Sequence, residues 1–115
     1  MLDRRQYTRY KTYLKGKAAT VKGYSFPVEI LDLSIEGAKL KTDKDIPVEN
    51  GEIIYLAIQW KSSIKAETEV RWIKQEKFNT QFGVKFIKMP IEDKEAFRTY
   101  ISDYALTQTS DVYFR

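Results

Sequence analysis

The alternation of apolar and charged side chains from Ile64 to Lys74 constrains the fold more than any other feature. One side of this segment, when extended, carries Ala66, Thr68, Val70 and Trp72, and the other carries Lys65, Glu67, Glu69 and Arg71. A two-residue period is typical of a β-strand with one face in a core and the other in solvent. The segment therefore predicts a half-buried strand.

Five further segments are apolar or alternating and are separated by turn residues. They predict strands over Leu14–Lys22, Ser25–Leu31, Ala38–Thr42, Glu52–Trp60 and Asn79–Ile87. Asp32–Gly37 is expected to break the second of these. A helix is expected after Pro90, with an apolar stripe at Phe97, Tyr100, Ile101 and Tyr104. Six strands and one helix predict a mainly β domain.

Composition removes several function classes. The 115 residues contain no cysteine and no histidine, so disulfides, thiol nucleophiles, Cys/His zinc sites and histidine acid–base chemistry are excluded. No pair of acids has a spacing that requires catalysis, so we expect a protein that is not an enzyme and holds no metal or cofactor. We find no apolar leader and no apolar run long enough to cross a bilayer, so a cytoplasmic location without membrane insertion is expected.

Basic charge is concentrated at the N-terminus. Residues 1–17 hold six basic side chains and one acidic one, whereas the remainder holds 14 basic and 15 acidic. The N-terminal segment is therefore the part that attracts anions, either a small anionic ligand or a nucleic acid.

Two short motifs, one in this segment and one further along the chain, indicate what kind of anion could be bound. Arg5 and Arg9 form R-x-x-x-R, and Asp32, Ser34 and Gly37 form D-x-S-x-x-G. A guanidinium presents a planar fork of donors that fits a phosphate or the paired acceptors of guanine. A carboxylate accepts from guanine donors, a hydroxyl can bond a base or a phosphate, and glycine permits a positive φ or a close approach. Each motif alone also fits a solvated tail or an ordinary turn.

In this order, the two motifs resemble the signature of the PilZ domain, a small β-barrel that binds the bacterial second messenger cyclic di-GMP (c-di-GMP). The resemblance covers residues 3–105. It implies a six-stranded antiparallel split barrel with a C-terminal helix. It also implies a flexible ligand-wrapping arm over residues 1–13 and a barrel and helix over 14–106; the polar composition after the helix predicts a tail over 107–115.

The same resemblance implies a ligand site formed by Arg4, Arg5, Arg9, Asp32, Ser34, Gly37 and Trp72. Arginine at position 4 is expected to accompany two ligands per chain, although a solvated tail residue would look the same. Trp72 either stacks on a guanine or lies in the core beside Val70, as simple alternation indicates. Arg71, Lys39 and Lys41 are expected on solvated faces.

Three functions remain open. The preferred one is a stand-alone c-di-GMP receptor that acts through an unidentified effector protein. The alternatives are an adaptor that works by protein contacts without nucleotide, and a small RNA-binding barrel using the arm and its tyrosines, which is the least favoured. The sequence does not indicate the process controlled.

Overall fold

The computed structural model describes residues 9–43 and 48–113, with side chains as far as residue 103. All six predicted strands and the helix are present, and a two-residue strand precedes them. The elements are β1 (Tyr10–Lys11), β2 (Lys15–Thr20), β3 (Ser25–Leu33), β4 (Gly37–Thr42), β5 (Ile53–Gln59), β6 (Ser63–Gln75), β7 (Thr80–Lys88) and α1 (Ile91–Tyr113).

Antiparallel pairing closes the sheet into a six-stranded barrel. The strands follow the order β3, β2, β5, β6, β7, β4, and β4 returns to pair with β3. The short β1 adds to β3 through Tyr10 opposite Leu33 and Lys11 opposite Asp32. The predicted mainly β barrel with one C-terminal helix is therefore confirmed.

The core follows the two-residue period of the strands. On β3 the inward residues are Phe26, Val28 and Ile30, and each is at most 3% exposed. Phe26 meets Phe82 of β7 across the interior, with ring centroids 6.3 Å apart. Burial of such side chains, each contributing about 1.5–3 kcal/mol, is what holds a domain of this size together.

Three register shifts interrupt the pairing of the described strands, and two of them, on β3 and β6, affect the predicted site residues. Leu31 is the extra residue between the pairs Ile30–Leu40 and Asp32–Lys39, and β3 continues through Asp32 instead of breaking before it. Because a one-residue insertion reverses the facing of every later side chain, Leu33 is buried and Asp32 is only partly covered.

The second bulge lies on β6 and decides the position of Trp72. Arg71 is the extra residue between the pairs Val70–Val84 and Trp72–Gly83. Val70 is 1% exposed, but Trp72 is 39% exposed, and Ile73 packs against the core instead. The core position that simple alternation indicates for Trp72 is therefore wrong.

The helix covers one side of the barrel. Phe97 stacks edge-on against Phe86 of β7 at 5.3 Å, and Tyr100 does so against Trp60 at 5.2 Å. The helix continues to Tyr113, so the segment from 107 predicted as a tail is helical through that residue. No glycine or proline occurs between 91 and 113 to end it. No helix in the described part of the chain is long and apolar enough to cross a membrane.

Candidate functional site

The turn from Ser34 to Gly37 joins β3 to β4 and is organised by the Ser34 side chain. The Ser34 hydroxyl accepts hydrogen bonds from the backbone N–H of Glu36 at 3.1 Å and of Gly37 at 3.2 Å. The Ser34 N–H donates to the Gly37 carbonyl at 2.9 Å. Ser34 is 1% exposed, so it shapes the turn, and its direct contact with a ligand stays a prediction.

Gly37 is required for a close approach of two strands. A methyl group there would lie 3.1 Å from the Val84 carbonyl carbon, with the carbonyl oxygen closer still. Positive φ angles among the described residues occur at Gly23 and Gly51. The positive backbone angle considered for Gly37 from the sequence is therefore wrong, and the close approach is to β7.

Arg9 and Asp32 bring the two motifs together. The Arg9 Nη1 donates to Asp32 Oδ1 at 2.6 Å, with 30% and 22% of the two side chains exposed. The pairing of β1 with β3 holds the contact, and the Thr12 N–H adds a bond to the Leu31 carbonyl at 3.1 Å. Residues 9–13, expected within a flexible arm, are thus attached to the barrel.

A cleft of about 300 Å³ opens beside this ion pair. Its lining is Arg9, Glu36, Gly37, Arg71, Trp72, Gly83, Val84 and Lys85. The Trp72 indole lies over Gly83, where a methyl would come within 2.5 Å of Cε2 and 2.8 Å of Cδ1. The missing side chain at position 83 therefore lets the indole lie against the strand, with 39% of Trp72 exposed.

Two of the cations in this cleft were not assigned to the site from the sequence. Arg71 is more than half exposed and its Nη1 lies 3.4 Å from Glu69 Oε1, which is a long ion-pair contact. Lys85 is exposed on β7, two residues beyond Gly83. Alternation correctly places Arg71 on the outer face. The bulge that turns Trp72 to the same face depends on pairing with β7, which no local sequence pattern reveals.

The predicted site residues are thus partly brought together. Arg9, Gly37 and Trp72 line one cleft, and Asp32 bonds to Arg9 at its edge. Asp32 also lines a neighbouring cleft of about 530 Å³ with Lys11, Lys15 and Lys39. Arg4 and Arg5 lie outside the described residues.

This arrangement suits binding rather than covalent chemistry. Guanidinium forks, an exposed indole face and a carboxylate can hold a planar, anionic ligand by charge-assisted bonds and stacking. Within the described residues, no group of three or more acidic side chains could hold a metal ion. A larger cleft of about 640 Å³ on β2, β5 and β6 is lined by alanines, Tyr55 and lysines, and contains none of the motif residues.

Comparisons with known proteins agree with this architecture. A family model described as PilZ domain matches residues 3–103. No curated protein matches the sequence. The Bacillus subtilis inhibitor of motility, MotI/DgrA, is similar in structure, with a TM-score of 0.77 and 18% identity over 92% of this chain and 53% of that protein.

Two other similar structures were solved with c-di-GMP. The MrkH complex from K. pneumonia has a TM-score of 0.78 and 14% identity, covering 96% of this chain and 55% of MrkH. The PilZ domain of YcgR from Escherichia coli has a TM-score of 0.74 and 11% identity, covering 98% of this chain and all of that domain. This chain therefore spans about half the length of MotI/DgrA and MrkH.

Proposed function

This chain belongs to the PilZ domain family, and from that premise we propose that it is a cytoplasmic receptor for c-di-GMP. It acts by binding rather than catalysis and relays the ligand's presence to a partner protein. The ligand residues proposed are Arg4, Arg5, Arg9, Asp32, Ser34, Gly37 and Trp72.

The contact between Arg9 and Asp32 is the observation that carries this proposal. A guanidinium and a carboxylate 2.6 Å apart offer donors and acceptors to the opposite edges of a guanine. The exposed indole of Trp72 in the adjoining cleft offers a stacking surface, which is worth about 1–3 kcal/mol per base. Asp32 and Trp72 are both set by bulges, a feature over-represented next to functional sites.

The cations around the cleft favour a ligand with phosphate charge. Arg9, Arg71 and Lys85 face it together, against one acid, Glu36. The MrkH and YcgR structures, which share this fold and were solved with c-di-GMP, support the choice of that ligand over other dinucleotides. At 14% and 11% identity these two structures support the fold of this chain directly. They support c-di-GMP as its ligand only through shared membership of the family.

A calorimetric titration with c-di-GMP, GTP and a short single-stranded RNA tests the proposal. We expect saturable binding of c-di-GMP only. Arg9→Ala removes charge-assisted bonds worth about 1.5–3 kcal/mol and is expected to weaken binding about tenfold or more. Lys22→Ala, at an exposed cation in the turn between β2 and β3, is the control and should bind as the wild type does.

The alternatives give different results in the same experiment. RNA that binds more tightly than c-di-GMP would favour an RNA-binding barrel. A protein that binds none of the three would favour a nucleotide-independent adaptor, and the receptor proposal would then be wrong.

A further inference from the structure

A second groove adjoins the ligand cleft on the other side of the Ser34–Gly37 turn. It has a volume of about 530 Å³ and lies between the end of β7 and the first half of α1. Its floor is apolar: Phe86 and Phe97 meet edge to face, and Met89 is half-buried beside them. Ile35 and Ile87, 49% and 48% exposed, form its upper walls.

Every charged side chain that lines this groove is a cation. Lys88 comes from the end of β7, and Lys94 and Arg98 come from α1. Among the described residues, none of these three forms an ion pair. Lys94 and Arg98 are four residues apart, so they lie one helical turn apart on the same face of α1.

We propose that this groove is the docking surface for an acidic amphipathic helix of a partner protein. Such a helix would place apolar side chains against Ile35, Ile87 and the phenylalanine floor. Its carboxylates, spaced three or four residues apart, would meet Lys94 and Arg98. An apolar strip rimmed by charges of one sign selects a helix with the opposite charge beside its apolar face.

The groove and the ligand cleft share the same turn. Ile35 faces the groove, whereas Glu36 and Gly37 line the cleft. The Phe86 N–H donates to the Glu36 carbonyl at 2.9 Å, so the turn and β7 are joined where the two depressions meet. Contacts of a ligand at Glu36 would thereby change the affinity of the groove for its helix, and this coupling alone rests on the proposed function.

The test uses two synthetic helical peptides with the same leucine face, one flanked by glutamates and the other by lysines. Fluorescence anisotropy with the whole chain is expected to give binding of the glutamate peptide about tenfold tighter than of the lysine peptide. The double variant Lys94→Glu/Arg98→Glu should reverse that preference, and the uncharged substitution Ile87→Ser should weaken both peptides.

A matched control distinguishes the effect of a changed net charge from the effect of changing charges in the groove itself. Lys74→Glu/Lys77→Glu makes the same change in net charge at the opposite end of β7, about 25 Å away at 3.3 Å per residue, and should bind as the wild type does. Equal binding of both peptides by the wild type, or unchanged binding by the groove variants, would overturn the proposal.

Titration of the same variants with c-di-GMP separates the two hypotheses. Groove variants that still bind c-di-GMP are folded, so their loss of peptide affinity is caused by the substitutions in the groove and not by unfolding. A wild-type protein that binds the glutamate peptide but no c-di-GMP would leave the groove intact and refute the receptor function. A peptide affinity that is unaltered by bound c-di-GMP would refute the coupling.

Discussion

Alanine substitutions at Gly37 and Gly83 are expected to change different properties of the protein. Gly37→Ala should mainly lower the free energy of unfolding, whereas Gly83→Ala should mainly weaken ligand binding. At Gly37 the new methyl meets the Val84 backbone, whereas at Gly83 it meets the ring of Trp72. The backbone of β7 cannot move away without straining its ladder with β4, where Gly37 pairs with Lys85. Trp72 is 39% exposed, so its side chain can rotate away.

The magnitudes follow from these neighbours. Gly37→Ala overpacks a buried site at a cost of about 1–3 kcal/mol and strains ladder hydrogen bonds worth about 1 kcal/mol each. We therefore expect a loss of about 2–4 kcal/mol in unfolding free energy, which lowers Tm by roughly 8–16 °C. Gly83→Ala should cost less than about 1 kcal/mol, the usual cost of moving one side chain off its preferred rotamer.

Ligand binding is expected to show the opposite order. Displacing the Trp72 indole removes a stacking surface worth about 1–3 kcal/mol, so Gly83→Ala should weaken c-di-GMP binding about tenfold with little change in Tm. Trp72→Ala should weaken binding by a similar factor. Calorimetry and thermal unfolding of the three variants measure both quantities. Wild-type affinity in both Gly83→Ala and Trp72→Ala would refute the stacking role of Trp72.

Three further predictions concern the motifs. Ser34→Ala should lower the free energy of unfolding by about 1–3 kcal/mol, because it leaves two turn N–H groups without their acceptor. Asp32→Ala should instead weaken c-di-GMP binding with a smaller loss of Tm, and thermal unfolding and calorimetry of both variants measure these effects. Amide exchange over residues 1–8 should slow when c-di-GMP is added, since the ligand's phosphates offset repulsion among the basic side chains; equal exchange with and without ligand would contradict this. Calorimetry should give two ligands per chain, because a third guanidinium at Arg4 helps neutralise the four phosphates of two stacked ligands. Arg4→Leu should shift the stoichiometry toward one ligand per chain. Saturation of the wild type at one ligand per chain would exclude binding of a stacked pair.

Most of the architecture could be predicted from the sequence because burial and local alternation agree. The strand predicted from Ile64 to Lys74 is β6 (Ser63–Gln75), and its buried residues are those of the predicted inner face as far as Val70. Turn residues also marked the ends of the neighbouring strands. The short β1 could not be predicted, because its two residues carry no periodic pattern and are fixed only by pairing with β3.

The site was harder to predict because its geometry depends on pairing between distant strands. The types of residue in the two motifs indicate the chemistry of a ligand site, and the structure brings Arg9 of one motif into contact with Asp32 of the other; their binding of a ligand stays a prediction. Their individual roles required the fold: Ser34 is turned inward to hold the turn, and Gly37 accommodates β7. The D-x-S-x-x-G motif therefore specifies the shape of the turn as much as any contact with a ligand.

The bulges on β3 and β6 explain how an ordinary alternating barrel turns Asp32 and Trp72 outward. Without the bulge at Leu31, regular alternation after Ile30 would turn Asp32 inward and Leu33 toward solvent. Without the bulge at Arg71, regular alternation would turn Trp72 inward after Val70 and Ile73 toward solvent. The first bulge thus keeps Leu33 buried and the second keeps Ile73 packed against the core, and the second also turns an aromatic ring outward. Because these facings depend on the pairing of β6 with β7 and not on the side chain of the extra residue, substitution of Arg71 should leave the core unchanged.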